Sequence, residues 1–427
     1  MMTSSADSNS NSNASSNSRR AWMLVVGLGL VMSISFGLTL NAFSIFTLAI
    51  IEEFQCSHEQ AARIATVFMV TMTLAMPAAG WLLDHVAPRP VMTVGGLITG
   101  LAYLAAAHST TLDAFTVAIA LCGVGVGAST YVPAFILVSR WFPPSRQGLA
   151  FGILLAVAAA GGTMLPMVLN HMIDTVGLRA TMEAGAIMIF VVCVPLLLWL
   201  VRIPDHAVGA GHAATAEAST LGVGDIFRMP HYWQWIAMFL LITLSGLSIL
   251  MGLVPYLVSV GYSAAQAAAA YGSIAAATIA GSLLFGAVST RLGVGRTLSL
   301  GVFIGSIGLV CLLQASHPAF GMVAIVLFVM TWGTTFNLVN QMSPTLLVEF
   351  AGQQNFGSLL GIGNLISGLG AALGPTLFGY LVDTTKSYVL PLSLCAALMA
   401  LALLPLALLQ RAPRQAHEIA GFEAHEN

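Results

Sequence analysis

Residues 148–175 read GLAFGILLAVAAAGGTMLPMVLNHMIDT, and residues 357–384 read GSLLGIGNLISGLGAALGPTLFGYLVDT. At a constant offset of 209 residues, six positions coincide: Gly148, Gly152, Gly161, Pro166, Asp174 and Thr175 match Gly357, Gly361, Gly370, Pro375, Asp383 and Thr384. Glycine and proline inside an apolar run mark places where backbones approach closely or bend. Their repetition in register predicts two copies of one helical bundle. Such duplication in a very apolar chain is typical of a secondary transporter, whose solute site lies between the repeats.

The composition places this chain in lipid. Of its 427 residues 58% are hydrophobic and only 7% are charged, whereas a soluble protein of this length needs far more charge to cover its surface. The spans must be helices, since the sequence lacks the period-2 alternation of a barrel. A net charge of −2 argues against a nucleic-acid partner. The five cysteines are scattered without metal-ligand spacing, so we expect no metal and no cofactor.

Twelve apolar segments are long enough to cross about 30 Å of hydrocarbon. They run approximately over 21–51, 60–83, 90–108, 112–139, 147–172, 181–202, 232–260, 265–289, 296–315, 318–347, 355–382 and 388–410. The predicted fold is an all-α membrane protein with twelve transmembrane helices in two pseudo-symmetric six-helix bundles. The predicted parts are a disordered polar tail (1–20), the first bundle (21–202), a cytoplasmic linker (203–231), the second bundle (232–411) and a C-terminal tail (412–427).

The distribution of Arg and Lys predicts the orientation. Eleven lie on the side shared by both termini: Arg19, Arg20, Arg89, Arg140, Arg146, Arg202, Arg228, Arg291, Arg296, Arg411 and Arg414. Only Arg63, Arg179 and Lys386 lie on the other side. The positive-inside rule therefore places both termini in the cytoplasm of a multi-pass plasma (inner) membrane protein.

A charged turn links predicted spans 2 and 3 and reads GWLLDHVAPR over residues 80–89. Gly80 allows close helix contact, Asp84 can accept bonds from a neighbouring helix N-terminus, and Arg89 can pair with it. We expect this turn to close the cytoplasmic side and to break when the halves move. The corresponding turn of the second half has Thr290 in place of Asp84. We therefore expect the two halves to contribute unequally to closure of the cytoplasmic side. The candidate gating residues are Gly80, Asp84, Arg89, Arg140, Arg146 and Arg291.

These two turns resemble the inter-helix signature of the major facilitator superfamily. The stretches RWFPPSRQGLAFG (140–152) and DIFRMPHYW (225–233) resemble the monocarboxylate porter and oxalate/formate antiporter branch, as does the end of span 11 from Gly374 to Tyr388. The resemblance covers about residues 20–411. It implies alternating-access transport of a small organic solute, with monocarboxylates as the default class for the branch.

Members of that branch often hold an intramembrane Arg in span 8, and some hold a cation in span 11 or span 1, that binds the substrate carboxylate. Here span 8 carries no charge, span 11 has none before Asp383, and span 1 none before Glu52. A charge at the bilayer centre costs roughly 2.5–3.5 kcal/mol and is kept where function needs it. The alternative is therefore a neutral or larger aromatic, vitamin-like solute, or the export of amphipathic compounds. No mid-membrane acid or His offers a coupling site, and His171 beside Asp174 is the nearest candidate.

Uncharged polar and aromatic residues at membrane depth remain as candidates for solute binding. They are Asn41, Tyr131, Tyr256, Tyr271, Trp332, Asn337, Asn340, Gln341 and Asn364. Asn337 and Gln341 are spaced i, i+4, as on one helix face. The alternative for each amide is a structural bond between helices, and for each aromatic, packing or interface anchoring.

Two other functional classes of protein fit the sequence less well. A membrane-embedded enzyme would need a nucleophile–base pair, a metal cluster or paired carboxylates, and the scattered histidines have no such partners at suitable spacing. A sensor would need an output domain that the tails and linker cannot hold. The expected partners are a small solute, the lipid bilayer and either a coupling proton or a counter-solute, for a monomeric carrier that is not an enzyme.

Overall fold

The computed structural model describes residues 4–201, 223–352 and 355–411, and within these ranges every regular element is a helix. The α-helices are α1 Ser4–Leu38, α2 Phe43–Phe54, α3 His58–His85, α4 Pro88–Ala107, α5 Leu112–Ser129, α6 Tyr131–Trp141, α7 Pro144–Met188, α8 Val194–Leu200, α9 Val223–Arg228, α10 Pro230–Ser259, α11 Ala264–Leu292, α12 Val294–Leu312, α13 Gly321–Phe328, α14 Leu338–Ala351, α15 Phe356–Thr385, α16 Val389–Leu401 and α17 Leu403–Arg411. Two π-helical turns, Ile189–Cys193 and Val329–Gly333, and a 3₁₀ turn, Leu313–Ser316, extend α7, α13 and α12.

Eleven segments of the described residues are long and apolar enough to cross a membrane. One of them, Pro144–Leu200, has 57 residues. A helix of that length would measure about 85 Å, far beyond roughly 30 Å of hydrocarbon. Its backbone leaves the helical region at Gly177, where φ is 86° and ψ is 170°. This segment therefore holds predicted spans 5 and 6, and the twelve transmembrane helices predicted from the sequence are confirmed.

Four predicted spans are discontinuous, and one of them, span 12, is divided between α16 and α17 at Ala402. Span 1 is divided between α1 and α2 by the turn at residues 39–42, and span 4 is divided between α5 and α6 at Thr130. Span 10 passes from α13 through its π-helical turn to α14, with a second turn at residues 336–337. A break inside a membrane helix leaves backbone groups that need partners from neighbouring helices or from a cavity.

The polar N-terminal segment differs from its prediction. Its Ser- and Asn-rich composition predicts disorder, yet α1 begins at Ser4 and continues into the apolar span. Once a helix is nucleated, each further residue adds one hydrogen bond, so an apolar span can extend into a weak helix-forming segment. The C-terminal tail and most of the predicted linker lie outside the described residues.

Two compact units divide the described chain. The first contains residues 4–75, 85–143 and 153–201. The second contains residues 223–352 and 355–411 together with 76–84 from the end of α3 and 144–152 from the start of α7. The predicted halves divide the chain by sequence, and their boundaries stay a prediction.

Large apolar side chains face outward along the spans of both units. Met167 is 73% exposed, and Leu48, Leu284 and Val326 are also exposed. In a water-soluble protein such side chains would lie in the core, whereas here they meet lipid. A set of Ser, Thr and Gln side chains is instead buried between the helices, and some of them form the contacts described next.

Candidate functional site

A first helix contact in the second unit joins α3 to α15 and is called the first junction. A Cβ atom on Gly80 would overlap the carbonyl of Gly357, and one on Gly361 would lie 2.7 Å from the Cα of Pro77. The two backbones can come this close because the side chain of glycine is a single hydrogen atom. The glycines that repeat in the sequence therefore lie at helix contacts.

Asp84 caps the N-terminus of α15 at this junction. The Gly357 N–H donates to Oδ1 at 2.9 Å, and the Ser358 N–H and hydroxyl both donate to Oδ2, at 2.8 and 2.6 Å. Gly357 and Ser358 lie in the first helical turn, where N–H groups have no partner within the helix. The carboxylate supplies those partners and complements the positive end of the helix dipole. The sequence predicted such an acceptor but not its partner Ser358.

The predicted pairing of Asp84 with Arg89 is wrong for this structure. Within the described residues Asp84 makes its bonds to Gly357 and Ser358 and takes part in no ion pair. The carboxylate already has three donors, and Arg89 is exposed to solvent. Arg146 and Arg291 are likewise exposed, and Arg140 is half-buried.

A second helix contact in the same unit joins α7 to α11 and is called the second junction. A Cβ atom on Gly148 would overlap Ser289 Oγ, and one on Gly286 would lie 3.1 Å from the Cα of Leu149. This junction repeats the first one, since Gly148 corresponds to Gly357 at the offset of 209 residues. Thr290, the counterpart of Asp84, bonds through its hydroxyl to the carbonyl of Ala287 in its own helix at 2.7 Å.

Gln341 of α14 bonds to both helices of the second junction. Its Nε2 donates to the carbonyl oxygens of Gly148 at 2.8 Å and Ser282 at 2.9 Å, and the residue is 0% exposed. The predicted i, i+4 pair with Asn337 is therefore not formed. Asn337 instead precedes the first residue of α14 and accepts from Asn340 Nδ2 at 3.0 Å.

Of the other predicted solute residues of the second unit, Trp332 and Tyr256 are packed among helices. Trp332 is 1% exposed and stacks on Phe328, with ring centroids 5.0 Å apart. The buried Tyr256 donates its hydroxyl to the carbonyl of Leu312 at 3.1 Å. Asn364 bonds to the carbonyl of Leu360 in its own helix at 2.8 Å, and Tyr271 is 39% exposed. Asn337 and Asn340, both half-buried, are two predicted solute residues that the structure brings together, although they were not predicted as a pair.

The first unit places its two candidates at helix breaks. Asn41 lies exposed in the turn between α1 and α2, and Tyr131 is the first residue of α6, with its ring 4.6 Å from that of Phe135. Tyr103 was not among the predicted residues, yet it is buried in α4 and donates its hydroxyl to the carbonyl of Leu38 at the α1–α2 break. The available signal was a tyrosine inside an apolar span. Nothing in the sequence located the break in span 1 that its hydroxyl contacts.

Solved structures share this fold at low sequence identity. The Escherichia coli fucose:proton symporter FucP matches with a TM-score of 0.74 and 14% identity over 92% of this chain and 98% of its own. A bacterial homologue of the iron transporter ferroportin, in an outward-facing state, matches with a TM-score of 0.72 and 16% identity over 92% of this chain and 100% of its own. At these identities the likeness shows the fold alone.

Curated relatives cover most of the chain. The Escherichia coli protein YhjX, described as an uncharacterized MFS-type transporter, is 25% identical over 83% of this chain and 86% of its own. Monocarboxylate transporter 13 of Bos taurus is 23% identical over 86% of this chain and 84% of its own, and human monocarboxylate transporter 12 is 23% identical over 88% and 77%. The family model of the Major Facilitator Superfamily matches residues 27–375. With its twelve membrane helices and its repeated glycine contacts, this chain belongs to the Major Facilitator Superfamily, whose members are transporters of small solutes and not enzymes.

Proposed function

We propose that the chain carries a small organic solute by alternating access and that monocarboxylates are the first class to test. The observation that carries this proposal is its similarity to relatives named monocarboxylate transporters, at 23–25% identity over 86–88% of the chain. The proposed carrier is a monomer of the plasma (inner) membrane, with both termini cytoplasmic. Its partner in transport is a coupling proton or a counter-solute.

The helix breaks are our proposed solute contacts. In secondary transporters, discontinuous helices present unbonded N–H and C=O groups to the solute and to coupling ions. Asn41 and Tyr131 lie at breaks in the first unit, and Asn337 lies at the start of α14 in the second. Tyr131 and Asn340 also correspond at the repeat offset of 209 residues. Amides, phenols and helix N-termini can hold a carboxylate without a buried cation, although less tightly than Arg.

A neutral or larger aromatic solute, or an exported amphipathic compound, is the second candidate. The observation that favours it is the chemistry of the buried polar side chains in the described residues, which are those of Ser, Thr and Gln. Such hydroxyl and amide groups suit an uncharged solute, because no ion has to leave water without a counter-charge.

Uptake into proteoliposomes separates the two candidates. Labelled lactate, pyruvate and oxalate are offered to the reconstituted protein, and unlabelled carboxylates compete against neutral analogues of the same size. We expect saturable uptake that carboxylates inhibit and neutral analogues do not. Uptake inhibited only by the neutral compounds would favour the second candidate. The variants Asn337→Ala and Asn340→Ala should raise the concentration for half-maximal uptake, and unchanged values in both would return these residues to a structural role.

A further inference from the structure

The two junctions repeat one arrangement but present opposite backbone groups. α15 begins at Phe356, so Gly357 and Ser358 lie in its first turn with N–H groups that the helix leaves unbonded. α7 begins at Pro144, so Gly148 lies beyond the first turn and its N–H belongs to the helical ladder. At Gly357 and Ser358 the first junction therefore offers backbone donors, whereas at Gly148 and Ser282 the second offers carbonyl oxygens, each with a second lone pair.

The side chain at each junction matches what the backbone offers. The Asp84 carboxylate only accepts, and it meets three donors. The Gln341 amide has two N–H bonds and meets two carbonyl acceptors, those of Gly148 and Ser282. Because carbonyl oxygens cannot donate, these neighbours also fix which end of the amide faces them. Because the Gly148 N–H is bonded within α7, a carboxylate at Thr290 would not find there the donor that Gly357 offers to Asp84.

We propose that Gln341 is the latch of the second junction, a positioning residue that holds α7 against α11 as Asp84 holds α3 against α15. This proposal rests on the proposed alternating access, in which the junctions form and break. Gln341 was predicted to bind solute, but both of its N–H groups are occupied and the residue is 0% exposed.

The unused oxygen of the latch favours its release. Gln341 Oε1 is buried and has no hydrogen-bond partner among the described residues. Closing the junction gains two bonds and removes one acceptor from water, and these two effects oppose each other. Opening restores water to that oxygen, so the closed junction is held without being over-stabilised, as a carrier that must cycle requires.

The substitution Gln341→Glu tests the latch through pH. It keeps the shape of the side chain but removes the NH₂ donor. A neutral glutamic acid can donate one bond to Gly148 or Ser282, whereas a glutamate faces two carbonyl oxygens and favours the hydrated, open junction. The structure places Gly148, Gly152, Ser282 and Gly286 beside the Gln341 amide, and none of these four residues titrates. Burial raises the pKa of a carboxyl, so the closed form is favoured at low pH and lost as pH rises.

The measurement is the distance between spin labels at Ser145→Cys and Leu292→Cys, both exposed, in the full chain with its five cysteines replaced by Ser. In proteoliposomes between about pH 5 and about pH 9, a range chosen to span a raised carboxyl pKa, Gln341→Glu should pass from a short to a long distance. The open-to-closed ratio should rise about tenfold or more, the scale of one or two net hydrogen bonds. The unsubstituted chain should show no such pH dependence.

Three further substitutions make the result decisive. Thr345→Val removes a buried hydroxyl of α14 that has no hydrogen-bond partner among the described residues, and it should leave the distances unchanged. Gly148→Ala places a methyl group on Ser289 and should lengthen the distance at every pH.

If Gly148→Ala opens the junction but Gln341→Glu matches the unsubstituted chain throughout, Gln341 is not a latch. If no variant or condition lengthens the distance, α7 and α11 do not separate, and the alternating-access proposal fails with it. If Gln341→Glu opens the junction at high pH as expected, adding Thr290→Asp to it should not restore the closed junction.

Discussion

Asp84 holds the first turn of α15 through three hydrogen bonds that depend on its charge. In Asp84→Asn one oxygen remains, but the new NH₂ group faces N–H and hydroxyl donors. The closed first junction should lose about 1–3 kcal/mol, the scale of bonds to a charged group. We expect a cysteine at Met76, buried beside Gly361, to react about tenfold faster with a soluble maleimide, since 1.4 kcal/mol corresponds to that factor. Asp113→Asn, at an exposed position, is the control, and an unchanged rate in Asp84→Asn would contradict the capping role.

A substitution at Gly80 tests the close approach of the α3 and α15 backbones separately from the charge of Asp84. Gly80→Ala places a methyl group on the Gly357 carbonyl, and backbone cannot move aside as a flexible side chain can. We expect a loss of about 1–3 kcal/mol, typical of overpacking, seen as a lower melting temperature and lower uptake. Gly272→Ala, also inside a helix but with open space around it, is the control and should melt at the same or a higher temperature. Equal melting and uptake in both variants would show that α3 and α15 do not need the glycine.

The sequence predicted the capping role of Asp84, whereas for Gln341 it left solute binding and a bond between helices open, and the difference has a physical reason. An acidic residue beside a glycine at a helix end is a local pattern, and its need for donors can be inferred from that pattern alone. The bonds of Gln341 join it to Gly148, 193 residues away, and to Ser282, 59 residues away. Whether an amide at membrane depth binds a solute or bridges helices depends on such distant partners, which periodicity does not reveal.

At the scale of elements, hydropathy predicted the spans and missed the breaks inside them. The sequence of span 1 stays largely apolar on both sides of residues 39–42, although the chain leaves the helix there. Thr39 bonds back to the carbonyl of Ser35, and the Asn41 N–H bonds to that of Phe36, five residues back. Neither Gly nor Pro marks this turn. The break is held by a bond from another helix, so only tertiary structure could locate it.

Tyr103 supplies that bond, and its removal should destabilise the first unit. In Tyr103→Phe the ring keeps its packing while the carbonyl of Leu38 loses the buried hydroxyl that satisfies it. An unsatisfied buried polar group costs about 1–3 kcal/mol, so we expect a lower melting temperature of the purified protein. Tyr380→Phe removes a hydroxyl from a residue that is 65% exposed and should melt like the unsubstituted chain. Equal melting of the two variants would mean that water or the backbone replaces the Tyr103 hydroxyl.

At the scale of the whole molecule, the sequence repeat and the charge distribution together predict the topology. An odd number of spans in each repeat would place its corresponding residues on opposite sides of the membrane, whereas six spans place them on the same side. Eleven cationic residues against three predict that this shared orientation has both termini in the cytoplasm. Thr175 and Thr384 correspond at the repeat offset, and both are exposed near the ends of predicted spans 5 and 11.

Cysteine labelling in intact cells tests this topology without knowledge of the solute. In a chain with its native cysteines replaced by Ser, Thr175→Cys and Thr384→Cys should both react with a membrane-impermeant maleimide added outside. Ser18→Cys, exposed and close to Arg19 and Arg20, should react only after the membrane is permeabilised. Labelling of one threonine position from each side would mean that one repeat has an odd number of crossings. If the odd number lies in the first repeat, where Pro144–Leu200 and Gly177 set the count, the chain does not reverse at that glycine.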